Sequence, residues 1–493
     1  MAADATQDRL VEVEAVGLAA KAGPAPVGVA KSFRAYDPDQ VLLMAPSLAD
    51  WVPEGHLARF VADLVDEVLD LSEIYASYEE ERGFPPYDPR LMVKLMVYGY
   101  ATGTPSSRKL EERTYSDVAV RFLCANQHPD FRPIARFRKR HLDALAGIFV
   151  QSLCLCREAK LVGLGVLALD GTKLRANASR RKAMSYERMV KAERQLEKEI
   201  AAIRSNAKAL LAEAERVDAQ EDQQFGPAHR GDELPEELQR REQRLVRLRE
   251  AKAALEEQAS AREAERRGEI KARGGEPGVT RDGRDPFAVK PTAQRNFTDP
   301  QSKIMKTSDG AFHQCFNAQA IVDSDTQIIL VADVCDQAPD AQQLEGALEQ
   351  LQENLQASGE ELPEGVALTA DAGYFSENNV RITREHGLAP YIATGRFKHS
   401  EPQPAAPRGP IPRDASVKQR MARLLATKAG REVYARRKAI VEPVFGQMQT
   451  IQDAKRLLLR GEDAARGQWR FNCGVHNLLK LHRNGGLALL NPT

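Results

Sequence analysis

The chain contains 493 residues, and its 70 lysines and arginines equal its 70 aspartates and glutamates, so the formal net charge is zero. This balance excludes a uniformly basic nucleic-acid-binding protein, and a polyanionic partner would have to be bound by locally basic segments. The length predicts two to four modules, because a domain contains roughly 100 to 200 residues.

Three features of the sequence argue against secretion and membrane insertion. The six cysteines are scattered without metal-ligand spacing, and the apolar run at 161–169 is far shorter than the ~20 residues that cross a bilayer. The first residues lack the basic start and apolar core of a secretory signal. We therefore expect a cytoplasmic protein with no membrane partner.

The N-terminal third divides into a leader and a helical region. Residues 1–40 are rich in Ala, Gly and Pro without an apolar period, which predicts a flexible leader. From Leu57 onward, apolar residues recur at the three- and four-residue spacing of one helical face, and Pro89 stands where a first-turn proline is tolerated. The segment 41–160 is predicted to be an all-helical domain for DNA binding or assembly.

The second half of this region is basic, with nine Lys or Arg against four acids between Thr104 and His141. Short helices with interleaved basic and hydroxyl side chains suit contacts with DNA phosphates. A solvated basic face on a helical bundle explains the same pattern equally well. The candidate DNA-binding residues here are Lys109, Arg113, Arg136 and Arg138.

The segment 183–271 is highly charged and carries a heptad seam. Its apolar residues are spaced alternately by four and three, with a break at 225–227, which predicts an antiparallel coiled-coil hairpin. The charges are mixed in sign, which favours a rigid spacer or an oligomerisation element over a DNA-clamping arm. The seam residues are Leu196, Ile200, Ile203, Ala207, Leu210 and Ala214, and then Leu234, Leu238, Leu245, Leu248 and Leu255.

Two apolar runs on either side of the hairpin each end in an acid followed closely by glycine. The run 165–169 leads into Asp170, and the run 366–370 leads into Asp371. Both predict buried strands with a carboxylate at the C-terminal end, and the intervening elements predict a mixed α/β sheet. Each aspartate taken alone is also explained as a cap of a following helix.

A third acid, Glu442, lies in a helical stretch and has apolar neighbours in the sequence. A carboxylate embedded in apolar surroundings requires a compensating cation, and Mg²⁺ prefers oxygen ligands supplied by a few carboxylates, water and substrate phosphate. Two such ions can activate a nucleophile and stabilise the leaving oxygen of a phosphodiester. Twelve Lys or Arg against four acids between Pro412 and Arg460 offer a surface for a polyanion.

The residues together resemble the DDE-type transposases of bacterial insertion sequences. The resemblance implies a ribonuclease H-like core at 161–485, interrupted by the coiled-coil hairpin and followed by a tail at 486–493. It implies that Asp170, Asp371 and Glu442 are catalytic and bind Mg²⁺, for which Mn²⁺ can substitute. The motifs that carry the resemblance are Leu169-Asp170-Gly171-Thr172, Asn296-Phe297-Thr298-Asp299-Pro300, Asn317-Ala318-Gln319, Thr369-Ala370-Asp371-Ala372-Gly373-Tyr374 and Val441-Glu442-Pro443-Val444-Phe445-Gly446.

The C-terminal signature of this family has a Tyr and an Arg before the Glu, and Tyr434 and Arg437 resemble them. Together with Lys173, they are candidate DNA contacts. Gln449 stands where the family has Lys or Arg. The resemblance further implies binding to the inverted repeats of the element, cleavage and strand transfer on double-stranded DNA, a homodimer on that DNA, and association with the nucleoid.

Two alternatives remain open at this point. A DNA-binding remnant without catalysis is favoured by Gln449 and disfavoured by the presence of all three acids. A haloacid dehalogenase-like phosphatase is suggested by Asp170-Gly171-Thr172, but Ala168 stands where that class has its nucleophilic aspartate.

Overall fold

A computed structural model describes residues 47–78, 86–179, 182–225, 236–272, 274–276, 285–307, 309–337, 339–395 and 409–490. The side chains of 206–225, 236–239 and 269 are outside this description. The predicted leader at 1–40 therefore lies outside the described residues. The predicted tail begins with a short 3-10 turn, Gly486–Leu489.

The described residues between 48 and 158 form helices and no strand. Their ends follow from local sequence: Asp88 accepts a hydrogen bond from the Arg90 amide ahead of Pro89, and Asp130 does the same for Arg132. The helices are α1 (Leu57–Asp63), α2 (Ser72–Ala76), α3 (Pro89–Ala101), α4 (Ser107–Ser116), α5 (Val118–Leu123), α6 (Phe131–Arg140) and α7 (Leu142–Glu158).

Six strands form one mixed sheet. In order across the sheet, β5 is followed by β1, β7 and β8, while β4 and β6 pair with the other edge of β5. Strands β1, β7 and β8 are parallel, and β5 is antiparallel to β1, β4 and β6. The strands are β1 (Val166–Arg175), β4 (Lys303–Lys306), β5 (Phe312–Asp323), β6 (Ile329–Cys335), β7 (Ala367–Ala370) and β8 (Ala389–Ile392). A separate two-stranded sheet pairs β2 (Ala183–Ser185) with β3 (Gln294–Asn296).

Helices after β6 complete the mixed α/β fold that the sequence predicts. They are α10 (Leu344–Ser358), α11 (Glu377–Glu385), α12 (Val417–Ala426), α13 (Lys428–Thr450) and α14 (Glu462–Arg483). Helix α14 packs against α7, and the absence of a side chain at Gly474 allows this approach, because a Cβ there would lie 3.0 Å from Phe149 Cα. One continuous hydrophobic core therefore extends from the N-terminal helices to the sheet, and Leu48–Thr493 forms one compact unit.

Strand β1 does not end at Asp170, as the apolar run suggests, but continues to Arg175. The reason is its pairing: β5 stays hydrogen-bonded to β1 from Leu167 to Arg175, whereas β7 pairs with β1 only as far as Leu169. Asp170 therefore lies within a strand, at the point where its parallel neighbour ends. Asp371 follows the end of β7, as predicted.

The segment between β1 and β5 contains two long helices, α8 (Tyr186–Phe225) and α9 (Glu236–Ala272), which run antiparallel. Ion pairs set their register: Arg249 contacts Glu193 at 3.0 Å, and Arg204 contacts Glu242 at 2.6 Å. Of the predicted seam, Leu196, Ile200, Leu245, Leu248 and Leu255 are buried in a small core of their own. The side chains of Ala207, Leu210, Ala214, Leu234 and Leu238 lie outside the described residues.

The motif 296–300 joins this insertion to the core. Asn296 donates a hydrogen bond to the Ser179 carbonyl and accepts one from the Thr298 amide. Asp299 is fully buried and accepts from the Gly461 amide at the start of α14. These contacts fix where the hairpin leaves the sheet. Within the described part of the chain, no helix combines the length and the apolar character needed to span a bilayer.

Candidate active site

Asp170 lies in β1, and Asp371 directly follows the parallel neighbour of that strand, β7. Leu169 is in register with Ala370, so the next residue on each strand is an aspartate. Neighbouring strands lie about 4.8 Å apart, which brings the two carboxylates into one site. Asp170 Oδ1 accepts from the Gly171 amide at 2.8 Å, and Asp371 Oδ1 accepts from the Gly373 amide at 2.7 Å.

The charge of this pair is compensated from α13. Burial raises the pKa of Asp170, the Arg437 guanidinium lowers it, and the nearby Asp371 carboxylate raises it again, with a net increase. Arg437 Nη1 lies 2.6 Å from Asp170 Oδ2, and the Arg437 side chain is 12% exposed. Its Nε is buried and has no hydrogen-bond partner. The guanidinium thus retains a buried donor beside the acids.

Tyr434 lies one turn before Arg437 on α13. Burial raises the pKa of its hydroxyl, with further electrostatic interactions from Arg437, Asp371 and Asp170. The structure thus brings together Tyr434, Arg437 and the two aspartates, although the two parts of this site are distant in sequence.

Glu442 is exposed, and the prediction that it is embedded among apolar neighbours is wrong. Its neighbours Val441 and Val444 turn into the core, whereas Glu442 turns outward, because successive helical residues point about 100° apart. Among the described residues, no three Asp, Glu, His or Cys side chains form a group that could hold a metal ion. The structure therefore assembles two of the predicted acids and leaves the third apart.

Gln449 lies two turns after Glu442 on nearly the same face of α13. Its Nε2 donates to Thr172 Oγ1 at 2.9 Å, and Thr172 is on the same face of β1 as Asp170. The residue that stands in place of the family's basic side chain therefore connects α13 to β1.

Lys173 faces the opposite side of β1 from Asp170, because side chains alternate along a strand. Its Nζ lies 3.3 Å from Asp340 Oδ1. Sequence reasoning missed Asp340, which lies between β6 and α10. The motif Asn317-Ala318-Gln319 contained a usable signal: both amides lie on one face of β5, and both donate to Asp340.

The N-terminal DNA-binding candidates fall into two classes. Arg113 is bound by Asp117 at 2.6 Å, and Arg138 is 5% exposed and donates to the Pro105 carbonyl. Burial on the inner face of α6 removes Arg138 from the surface, so its predicted DNA contact is replaced by a packing role. Lys109 and Arg136 are exposed.

The C-terminal helices carry a second basic surface. Lys418, Lys428, Arg436 and Lys438 are exposed, and none of them forms an ion pair with another described residue. These cations on α12 and α13 are therefore available to an anionic ligand.

Ala168, the position at which the phosphatase alternative lacks its nucleophile, is fully buried in β1. It is two residues before Asp170 and paired between β5 and β7. No reactive side chain is present at that position, so the geometry gives no support to the phosphatase interpretation.

Comparison with known families gives two matches. The family described as "Transposase domain (DUF772)" matches residues 46–140, which include helices α1 to α6. The family described as "Transposase DDE domain" matches residues 243–478, which include Asp371, Arg437 and Glu442. No curated protein and no solved structure matches the chain. The two transposase families together match about two thirds of the chain, which therefore belongs to the DDE transposases of insertion sequences.

Proposed function

We propose that this transposase binds the terminal inverted repeats of its own insertion sequence and catalyses metal-dependent cleavage and strand transfer of DNA. The observation that carries the proposal is the acid pair Asp170 and Asp371 with Arg437 packed against it. Two carboxylates on adjacent strands, charge-compensated and partly accessible, suit chemistry at a phosphodiester.

The ribonuclease H-like core is part of this proposal. It is supported by the mixed sheet, in which β1, β5 and β6 are successively antiparallel and β7 and β8 continue parallel to β1. The long insertion leaves the sheet after β1, beyond Asp170, so it does not interrupt the strands that carry the acids. A coiled-coil hairpin at this place fits a spacer or oligomerisation element.

The acid pair fits Mg²⁺, or Mn²⁺ in its place. Mg²⁺ is bound by one or two carboxylates plus water and substrate phosphate, and Asp170 and Asp371 supply two carboxylates. Burial and, to a smaller extent, the neighbouring Asp371 carboxylate raise the pKa of Asp170, and a cation beside the two carboxylates would relieve both effects. When bound, the metal would activate a water or 3′-hydroxyl nucleophile and stabilise the leaving oxygen.

The chain's own cations would hold the DNA. Arg437 places a positive charge next to the acids, which favours a phosphate group at this site. Lys418, Lys428, Arg436 and Lys438 on α12 and α13 would bind the backbone further away, as would Lys109 and Arg136 on the N-terminal helices. Glu442 is the third acid of the proposal. A homodimer would bring the two element ends together.

The direct test incubates the full-length protein with labelled duplexes that carry the inverted repeats flanking its gene, with and without Mg²⁺. We expect Mg²⁺-dependent nicking at the repeat ends. Asp371→Asn should lower nicking about 1,000-fold. Asp325→Asn, which changes an exposed aspartate in the turn between β5 and β6, should nick at the wild-type rate.

Two results would count against the proposal. Specific binding of the repeats without nicking at any metal concentration would favour a catalytically inactive DNA-binding remnant. Nicking that persists in Asp371→Asn would remove the acid pair from the chemistry.

A further inference from the structure

Asp340 lies at the centre of a polar network on the face of the sheet opposite the Asp170 carboxylate. Its Oδ1 accepts from Asn317 Nδ2 at 2.7 Å and from Gln319 Nε2 at 3.1 Å, and Lys173 Nζ lies 3.3 Å away. Its side chain is 25% exposed. Three donors on two strands therefore converge on one carboxylate oxygen.

The glycines that follow the two acids allow Asp340 to lie close to β1 and to the 3-10 turn Ala372–Tyr374. A Cβ at Gly171 would lie 2.7 Å from Gln319 Nε2 and 3.2 Å from Asp340 Oδ1. A Cβ at Gly373 would lie 2.9 Å from Asp371 Oδ1 and 3.4 Å from Asp340 Oδ2. At Gly171 both separations are closer than ordinary packing accepts, so a side chain there would displace the network. At Gly373 a side chain would collide with the Asp371 carboxylate.

The network extends to the segment that carries Asp371. The fully buried Tyr374 donates its hydroxyl to Gln319 Oε1. Asn379 Nδ2 donates to both the Tyr374 carbonyl and the Ala341 carbonyl, each at 2.7 Å. One chain of hydrogen bonds thus leads from Asp340 through Gln319 to Tyr374, and a second leads from Ala341 through Asn379 to Tyr374. Both end in the turn that begins at Asp371.

The Asn317 amide is oriented by two acceptors, the Asp340 carboxylate and the Gln337 carbonyl. Asn317 is fully buried, its Nδ2 donates to Asp340 and to the Gln337 carbonyl, and its Oδ1 has no partner. An unsatisfied buried acceptor is unfavourable, whereas a hydrogen bond to a charged group is among the stronger ones. The two hydrogen bonds that Nδ2 donates therefore fix the Asn317 side chain in an orientation that leaves its Oδ1 without a donor.

The backbone of Gln319 is also fixed. Trp469, which is buried, donates its indole N–H to the Gln319 carbonyl at 3.1 Å. Gln319 itself is in register with Gly171 on β1. The side chain that joins Asp340 to Tyr374 thus projects from a part of β5 that is anchored on both sides.

We propose that Asp340 is a positioning residue, which holds the Asp371 turn beside Asp170 through Gln319 and Tyr374. The inference rests on the proposed function, since it concerns the site of that reaction. Asp340 is not hydrogen-bonded to Asp170 or Asp371. It acts on the Asp371 turn through the side chains of Gln319 and Tyr374. A charged acceptor is needed because three donors, one of them Lys173, share it.

The test compares Asp340→Ala, Asp340→Asn and Tyr374→Phe with the wild type on a duplex that carries the element end. Mn²⁺ binding to the protein–DNA complex is measured by electron paramagnetic resonance, and cleavage is measured against Mn²⁺ concentration. We expect Asp340→Ala to raise the half-saturating Mn²⁺ concentration about tenfold, because the turn is no longer held. Asp340→Asn, which keeps an acceptor oxygen, and Tyr374→Phe, which breaks one connection, should each raise it about threefold.

Glu360→Ala is the matched control. Glu360 also pairs with a cation, Arg157 at 2.8 Å, but it follows the C-terminal end of α10, whereas Asp340 precedes its N-terminal end. We expect wild-type Mn²⁺ affinity in this variant. DNA affinity in the presence of EDTA should be within about twofold of wild type in all variants.

A merely structural role of Asp340 would lower the melting temperature without changing the Mn²⁺ affinity of the folded protein, and that result would overturn the inference. If Asp340→Ala does not fold, unchanged Mn²⁺ affinity in both Asp340→Asn and Tyr374→Phe would have the same meaning. The Mn²⁺ measurement needs no turnover. A wild-type protein that binds Mn²⁺ but does not cleave would therefore contradict the proposed function and still allow Asp340 to be tested.

Discussion

The two halves of the candidate site are held in different ways. Asp170 and Asp371 are placed by the pairing of β1 with β7, in which each backbone position is fixed by its neighbour. Helix α13 meets the same site through side chains, with Arg437 on Asp170 and Gln449 on Thr172. On the strands both acids are in place, whereas on the helix Glu442 is exposed. The pairing of β1 with β7 thus positions Asp170 and Asp371 before any ligand binds. Helix α13 contacts the site only through side chains, and a bound ligand can replace those contacts.

The largest effects should come from the acids themselves. Asp170→Asn and Asp371→Asn should each lower single-turnover cleavage about 1,000-fold, because a lost charged ligand removes several kcal/mol of metal stabilisation. Glu442→Gln should lower cleavage by a similar factor. Combining any two changes should cost little more than one of them, because the three act as a unit.

Measuring metal binding by the DNA-free protein distinguishes the two acids placed by the strands from Glu442 on α13. We expect Asp170→Asn and Asp371→Asn to weaken Mn²⁺ binding in this state, whereas Glu442→Gln should leave it unchanged because Glu442 is exposed there. DNA affinity without metal should be retained or slightly higher in all three variants, since an acid near phosphate is removed. Equal losses of Mn²⁺ affinity in all three variants would contradict the distinction between strand and helix.

An intermediate effect is expected from the contact between the halves. Arg437→Gln leaves Asp170 without its counter-charge and should lower the free energy of unfolding by about 2 kcal/mol in EDTA, measured by urea denaturation. Mg²⁺ should restore part of this loss, because it replaces the guanidinium as the cation beside Asp170. Arg436→Gln is the control, since the neighbouring Arg436 is exposed and forms no ion pair with a described residue. A loss of equal size in both variants would show that the Arg437 contact contributes little.

The smallest effect should come from Gln449. Gln449→Lys adds a cation near the site and should tighten binding of the element end about two- to threefold at low salt, with the gain shrinking as salt rises. It also removes the hydrogen bond to Thr172, which should cost about 1 kcal/mol of stability. Gln449→Met should show the loss of stability without the gain in affinity. An unchanged salt dependence in Gln449→Lys would mean that position 449 does not face DNA.

The acid pair could be predicted because it depends on local pattern. Apolar runs that each lead into an aspartate indicate two strands, and parallel pairing brings Asp170 and Asp371 together. The length of β1 could not be predicted in this way. It depends on β5, which follows more than a hundred residues later and continues the pairing to Arg175.

Residues on helices were harder to place from sequence neighbours alone. Glu442 looks embedded beside Val441 and Val444, yet helical geometry turns it to the opposite side. Arg138 looks available within a basic segment, but it follows Ile134 by four residues and shares its buried face. The three- and four-residue spacing of buried side chains on each helix predicts both the exposure of Glu442 and the burial of Arg138. Asp340 was beyond such spacing, because its role arises from strands and a turn that meet only in the folded chain.

The small pairing of β2 with β3 at the base of the hairpin has a consequence for how the chain folds. Strands β1 and β5 are adjacent in the sheet, but residues 176–311 lie between them, and closing such a long loop is slow. The hairpin has its own apolar core, so it is able to form early and bring Ser185 to Gln294. The loop that remains to be closed then consists only of residues 176–182 and 297–311, and it is about sixfold shorter than 176–311. This shortening lowers the entropic cost of pairing β1 with β5 by about 1.6 kcal/mol. We therefore expect the insertion to act during folding as a local nucleus that delivers β5 to β1.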